Sequence, residues 1–403
     1  MRKSPWIAAA LAVCLGLEAP ATADEPAKPQ NAPPAPPTED VGRALREAWP
    51  DRPEWLDMYT AIINDEPMGP TNGWFRTSKT QTRYDWDAAK AKYDRDGDGR
   101  VGRSEYPGTD DDFGRLDRDR DGSLTEADFD FSRDYAPSPG SILFSRLDRN
   151  GDGKVTQPEI EMFFQKADSD GAGFLSRLDL ERALPAPAPS MSPADRPTKE
   201  QLIRGLFRQE IGSLQSGPDL NDSAPDFTLK TNDGEAEVTL SKLIGPKPVV
   251  LIFGNFTCGP FRSQAGNFEK LHRRYGDRAT FVMVYVREAH PTDGWRMRSN
   301  DDVGVSESQP QTYDQRAEVA QRCGELLGLG FPMLVDTIDD AVGARYSGMP
   351  GRFYLIDQQG RIAFKNARGP FGFKPAELEQ SLILMLQDAA EGRSPQTAAQ
   401  AAE

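Results

Sequence analysis

The stretch Val249-Val250-Leu251-Ile252-Phe253 runs into Asn255-Phe256-Thr257-Cys258-Gly259-Pro260, and this junction restricts the fold more than any other part of the chain. Five consecutive apolar residues predict a buried strand. Pro260 suits the first turn of a helix, where no backbone N–H is needed, and Phe261, Ala265, Phe268 and Leu271 continue at helical spacing. A strand, a tight turn and an amphipathic helix in succession predict an α/β unit with Cys258 at the helix N-terminus. There the unpaired amides and the helix dipole favour thiolate, the nucleophilic form, so a depressed pKa is expected.

A second pattern lies upstream. Asp94, Asp96, Asp98, Gly99 and Glu105 fall at positions 1, 3, 5, 6 and 12 of a loop, with the backbone carbonyl of Arg100 at position 7. A hard divalent cation takes six to eight oxygens at roughly 2.3–2.6 Å, which alternate positions of a tight loop converge, and glycine at position 6 permits the turn. The spacing recurs at Asp117, Asp119, Asp121, Gly122, Ser123 and Asp128, and in full at Asp148, Asn150, Asp152, Gly153, Lys154 and Glu159. These are EF-hand loops, and the expected cofactor is Ca²⁺. A fourth copy keeps Asp168, Asp170, Gly173 and Asp179 but has Ala172 at a ligand position, so weak binding or none is expected there, with a pairing role beside the third loop. One short helix separates each pair of loops, and Met162 is the only methionine between residues 85 and 183. Both features argue for structural calcium over a sensor that opens a Met-rich groove.

Composition bounds the rest. A chain of 403 residues holds two or three domains, and a net charge of −15 argues against a nucleic-acid or anionic-membrane partner. Arg2 and Lys3 precede the apolar stretch from Trp6 to Leu17, and Ala21-Thr22-Ala23 is an A-x-A site. Residues 1–23 therefore read as a cleaved signal, implying export to periplasm, cell surface or medium with no stable membrane insertion afterwards. A lipoprotein signal using Cys14 is the lesser alternative, since Val13 is a poor neighbour for a lipidated cysteine. Residues 24–40 form a Pro/Ala-rich tether, and 184–197 repeat that composition as a linker, so the chain divides near residue 190. The expected units are a helical Trp-rich segment at 41–84, the EF-hand repeats at 85–183, an α/β domain at 198–392 and a disordered tail at 393–403. Only Cys258 and Cys323 remain after cleavage, which excludes a disulfide framework.

The turn Thr257-Cys258-Gly259-Pro260-Phe261 resembles the Cys-Gly-Pro-Cys of thioredoxins, with Phe261 in place of the second cysteine. A longer similarity is to the iodothyronine deiodinase family. FGNFTCGPF (253–261), EAHPTDGW (288–295), LVDTIDD (334–340) and GPFGF (369–373) stand in that family's order, from about Ala224 to about Ala390, with Cys258 where the family carries selenocysteine. The resemblance implies a thioredoxin-like α/β domain, so that with the acidic loops upstream the expected protein is multidomain, an α-helical EF-hand repeat domain followed by an α/β thioredoxin-like domain. It further implies a thiol-dependent oxidoreductase that removes iodine from iodinated phenols with an external thiol reductant. Cys258 would be the nucleophile, Tyr285, Glu288 and His290 a proton relay, Thr257 the residue before the chalcogen, and Arg352 a substrate contact. A His beside a carboxylate titrates near neutral pH, as a proton donor would.

The residues by themselves leave alternatives open. Tyr285 on its apolar strand serves equally as core, Glu288 as a strand-end cap and Arg352 as a surface ion pair, while His272 reads as surface. Pro332 reads as a cis-proline packed beside the thiol and its substrate. The chain departs from the family at Phe256 and Gly259, and near Pro310, where a second histidine is expected. A second function is a thiol peroxidase or disulfide reductase, with Cys258 attacking and Cys323 resolving, although Cys323 shares a helical face with Val319, Leu326 and Leu327. A third is a non-catalytic calcium-binding extracellular module.

Overall fold

Helix α1 (Glu54–Ile63) follows from the helical spacing of Trp55, Tyr59, Ile62 and Ile63. The computed structural model describes residues 54–66, 79–132, 138–184 and 196–392, with 43, 45, 47 and 48. The segments expected to be a signal, a tether and a tail, most of the expected linker, Trp49 and Trp74 lie outside the described residues. Strand β1 (Gln81–Thr82) precedes α2 (Trp86–Tyr93), whose N-cap Asp85 accepts from Ala88 N at 2.9 Å and whose C-cap Asp94 begins the first acidic loop. In the first three loops the position-6 glycine has positive φ: Gly99 +85°, Gly122 +89° and Gly153 +77°. The exits of the first two loops, β2 (Val101–Gly102) and β3 (Ser123–Leu124), pair antiparallel across the short helix α3 (Asp110–Leu116), with Val101 opposite Leu124.

Helices α4 (Pro139–Leu147), α5 (Gln157–Ala167) and α6 (Arg177–Ala183) frame the third and fourth loops. Among the described residues no strand pairing joins these two loops, so the pairing role expected of the fourth copy is not seen. The third loop is instead committed to a helix of the α/β region, and Ile160, Met162, Phe174 and Leu178 stay exposed.

Helix α7 (Lys199–Phe207) packs on α1, where Met58, Tyr59, Ile62 and Ile63 meet Ile203, Leu206 and Ile211 in a small core that Trp295 also touches. Then come β4 (Thr228–Thr231), β5 (Glu237–Thr239), β6 (Val249–Gly254), α8 (Gly259–Tyr275), β7 (Thr280–Tyr285), α9 (Tyr313–Leu327), β8 (Met333–Val335), β9 (Arg352–Ile356), β10 (Ile362–Lys365) and α10 (Pro375–Ala390). The sheet runs β1-β10-β9-β6-β7-β8-β4-β5. Strands β6, β7 and β8 are parallel, and β9 runs antiparallel to β6. All six residues of β6 are buried, as a central strand requires. On one face Phe268 of α8 packs edge-on to Phe353 and Phe373. This is the thioredoxin-like α/β arrangement, preceded by EF-hand loops, that the sequence led us to expect.

The boundary expected near residue 190 is crossed by both sheet and core. Strand β1, which precedes the acidic loops, pairs with β10, Gln81 opposite Lys365. Tyr93, Val101, Tyr106, Phe113, Leu116 and Leu124 belong to the same buried cluster as β6, β7 and β9. Arg83 pairs with Asp357 at 2.7 Å, and Gln380 Nε2 donates to Asp128 O at 3.0 Å. Among the described residues no helix is long and apolar enough to cross a membrane.

Candidate functional site

The chain leaves β6, turns at 255–258 and enters α8 with Cys258 as N-cap. Cys258 is 3 % exposed. Burial pushes its thiol up to about 11, against the pull of the Phe261 amide and the Arg262 charge. The expected depressed pKa is therefore overturned: the helix N-terminus is present, but burial outweighs it.

Around this turn the structure gathers most of the residues singled out from the sequence. Glu288, fully buried, accepts on Oε2 from Thr257 N at 2.8 Å and from Thr257 Oγ1 at 2.7 Å, and on Oε1 from the Tyr285 hydroxyl. The Tyr285 oxygen in turn accepts from Phe256 N at 3.1 Å. Burial raises both the Glu288 carboxyl and the Tyr285 phenol. Tyr285 ends β7 opposite Gly254 in the parallel ladder, which carries its hydroxyl to the turn after β6. It is a buried strand residue, as the core reading has it, and its hydroxyl is hydrogen-bonded to Glu288.

His290 joins through its backbone, its N–H donating to Thr257 Oγ1 at 3.0 Å. Its Nδ1 lies 3.0 Å from Trp295 O, which assigns the proton to Nδ1 and leaves Nε2 an acceptor, and the Trp295 ring stands edge-on at 4.7 Å. Burial pushes the imidazole down to about 4, so at pH 7 it is neutral, contrary to the near-neutral titration expected from sequence.

Pro332, Arg352 and His272 fall differently from expectation. Pro332 is exposed, and the cis peptide bonds lie at Met349–Pro350 and Gly369–Pro370. The topology explains the difference: β8 runs parallel to β6, so its leading proline lies at the far end from Cys258, whereas antiparallel β9 begins beside the turn, where Pro350 O accepts from Asn255 Nδ2 at 3.1 Å. Arg352 is fully buried, not a surface ion pair, and pairs with Phe253 in the β6–β9 register. Its charge helps hold the Asp219 carboxyl low, after Lys365 and Gln81. Cys323 is 0 % exposed and unlinked, its thiol raised by burial. His272, read as surface, packs edge-on to Phe281 and Phe331.

Sequence reasoning passed over four residues. Asn255 Oδ1 accepts from Ala289 N at 3.1 Å, and Gln309 brackets Glu288 with bonds of 2.9 and 3.0 Å. Arg262 donates through Nη1 to Phe256 O and through Nη2 to Asn300 Oδ1 at 2.7 Å, while Asn300 Nδ2 donates to Thr257 O at 2.8 Å. Arg262 was legible as one helical turn after Cys258. Asn300 and Gln309 sit in the polar stretch 296–313 and carried no local signal.

The acidic loops fit a hard cation. Asp94, Asp96 and Asp98 bring carboxylate oxygens within 4.8 Å of one another, as do Asp117, Asp119 and Asp121. The position-12 carboxylates fold back onto their own loops: Glu105 accepts from Gly102 N at 2.7 Å, Asp128 from Thr125 N at 2.8 Å and Glu159 from Thr156 N at 2.9 Å. Asp148 and Asp152 are arranged alike in the third loop, accepting from Gly153 N at 3.0 Å and Lys154 N at 2.8 Å. The donors are oxygens throughout, as calcium requires. In the fourth copy Asp168 accepts from Gly173 N at 2.9 Å, while Asp179 is engaged with Ser176.

The family model for iodothyronine deiodinase matches residues 190–384, and an EF-hand model matches 141–164, around the third loop. A type I iodothyronine deiodinase from Xenopus laevis is 32 % identical over 178 residues, 44 % of this chain and 68 % of that protein. A thyroxine 5-deiodinase from Gallus gallus is 36 % identical over 182 residues, 45 % of this chain and 68 % of its own. Among solved structures, a secreted disulfide oxidoreductase from Mycobacterium tuberculosis aligns with 39 % of this chain and 95 % of its own, at 22 % identity and a TM-score of 0.29. Two relatives above 30 % identity, each matched over two thirds of its length, together with the Cys258 turn and its Tyr285–Glu288 partner, establish that the chain belongs to the iodothyronine deiodinase family.

Proposed function

We propose that the chain is a calcium-binding, thiol-dependent oxidoreductase of the deiodinase type, acting on iodinated phenols with an external thiol as electron donor. The observation that carries this reading is the buried Thr257–Glu288–Tyr285 chain held against the Cys258 turn in a member of this family. In the proposed step the Cys258 thiolate attacks iodine. An S–I bond forms, the C–I bond breaks, and the ring carbon keeps the electron pair and takes a proton. An external thiolate then attacks sulfur and expels iodide, and a second thiol reduces the mixed disulfide. Two thiols become one disulfide as the aryl iodide becomes the arene.

Glu288 with Tyr285 and Thr257 would deliver the ring proton. Neutral His290, its Nδ1 turned to Trp295, offers Nε2 as an acceptor and so fits a base that takes the thiol proton. Because burial holds Cys258 as a thiol, ionisation belongs to the substrate-bound state, where Arg262 and the first amides of α8 favour the anion. Calcium would be held by Asp94, Asp96, Asp98, Arg100 O and Glu105, and by the equivalent groups of loops two and three, supplying structural cross-links and no chemistry.

The test is a panel of iodinated phenol, hydrogen peroxide and a disulfide, each with a dithiol, on wild type and Cys258→Ser. Release of iodide by wild type and not by Cys258→Ser is expected. Turnover of peroxide or disulfide alone would move the protein to the peroxidase or reductase class, and no turnover at all would leave a calcium-binding module. Since Cys323 is buried in α9, Cys323→Ser should keep iodide release near wild type, and its loss would reinstate a resolving role.

A further inference from the structure

We propose that the third acidic loop is a calcium-controlled brace for the Cys258 turn, with Arg262 as the positioning residue that carries the brace to the thiol. The proposal rests on the reading that Cys258 is the reactive thiol. Gly153, at position 6, sits between two expected ligands, Asp152 and the Lys154 carbonyl. A Cβ on Gly153 would lie 2.0 Å from Arg262 O, and one on Gly266 would lie 2.3 Å from Gly153 O. Loop and helix α8 therefore meet backbone to backbone, with no side chain between them to absorb movement.

Two further contacts spread the same loop over the site. A Cβ on Gly151 would lie 3.1 Å from Val303, in the segment that supplies Asn300 and Gln309. Lys154 Nζ donates to Leu327 O at 2.6 Å, at the C-terminal end of α9, where a cation complements the helix dipole. The other loops are not so placed: a Cβ on Gly122 would meet nothing within 4 Å, and one on Gly99 only the end of Lys90 at 3.8 Å.

From α8 the path to the thiol is short. Arg262 is 4 % exposed and its guanidinium holds Phe256 O, while through Asn300 it fixes Thr257 O, so both carbonyls before Cys258 hang on it. Arg262 N also donates to Cys258 O at 3.1 Å. With calcium, Asp148, Asn150, Asp152, Lys154 O and Glu159 are drawn to one centre. Without it their carboxylates repel and the loop relaxes. Close-packed backbone transmits such a shift instead of damping it. The coupling must also be reciprocal: a Cys258 adduct that distorts the turn must weaken calcium binding at loop three by the same factor.

The experiment uses the full chain, with calcium chloride or a chelator, and reads the rate of Cys258 alkylation by iodoacetamide and the hydrogen exchange of residues 256–262. Chelation should speed both several-fold, because a thiol buried in the braced state becomes reachable. Glu159→Gln should show the chelated behaviour even in calcium. Gly266→Ala drives a methyl into Gly153 while sparing every calcium ligand, so calorimetry should still detect binding at the third loop while alkylation stays fast with or without calcium. If that variant does not fold, Arg262→Lys replaces it, since lysine cannot make the forked contact to Phe256 and Asn300, and faster alkylation in calcium is expected. Equal alkylation and exchange with and without calcium, while calorimetry shows loop three occupied, would overturn the proposal, as would calcium binding unchanged by Glu159→Gln. None of these readouts needs an iodinated substrate, so the proposal can fail while dehalogenation stands, and the reverse.

Discussion

At Cys258 two opposing effects compete, and their sizes decide the state of the thiol. A helix N-terminus stabilises an anion by roughly 0.3–1 kcal/mol, and up to about 2 in partly buried sites. Full burial shifts an acid upward by as much as about 3–5 pKa units, several kcal/mol, and wins. The alkylation midpoint of Cys258 in the substrate-free protein should therefore lie above the value of about 8.5 for a free cysteine, and a midpoint below 8 would show that burial does not govern. The stability consequence has a definite sign. Between pH 9 and 11 the unfolded thiol ionises first, so the unfolded state binds fewer protons and stability falls as pH rises. His290 acts at the other end: held at about 4 against 6.5, it is neutral when folded and charged when unfolded, so stability falls as pH drops through that window. Thermal melts of His290→Ala should show a shallower loss between those pH values. Tyr285→Phe strands Phe256 N and a Glu288 oxygen in the core, at a cost of about 1–3 kcal/mol. It should lower Tm and slow iodide release together, and an unchanged rate would remove Tyr285 from the relay.

At the scale of elements, each acidic loop is closed by its position-12 carboxylate. Calorimetry should find three calcium ions per chain, with Ala172 keeping the fourth copy weak, and Glu105→Gln should remove or weaken one of them. Each ion present at about 100 times its Kd adds about 2.7 kcal/mol, so chelation should lower Tm by more than any single-site variant does. A Tm indifferent to calcium would mean the loops are preformed without it. The same element-level reasoning explains Pro332: its sequence context is that of a strand-leading proline, and only the direction of β8 against β9 decides which end of the sheet such a proline occupies.

For the whole molecule, the sheet edge matters most. Strand β1 covers β10, and Arg83, Lys92 and Gln380 tie the repeat region to the sheet and to α10. A fragment beginning at residue 198 would bare the β10 edge and the apolar face that meets Tyr93, Phe113 and Leu124. It should melt lower and associate more than the full chain. A fragment as stable and monomeric as the full chain would restore two independent units.

Much of this was legible in order along the chain. Glycine at position 6 between alternating carboxylates admits few structures besides a cation loop, and a fully apolar run before Cys-Gly-Pro has few places to go besides a central strand feeding a helix. Tyr285 and Glu288 were legible only through the resemblance to the iodothyronine deiodinase family, and the structure is what brings both to the strand end beside the turn. The ionisation of Cys258 and His290, the placement of Arg352, and the seating of Gly153 on Arg262 were decided by tertiary structure alone. Burial depth, strand direction and contacts between residues more than a hundred positions apart depend on how elements pack, and no local spacing encodes them.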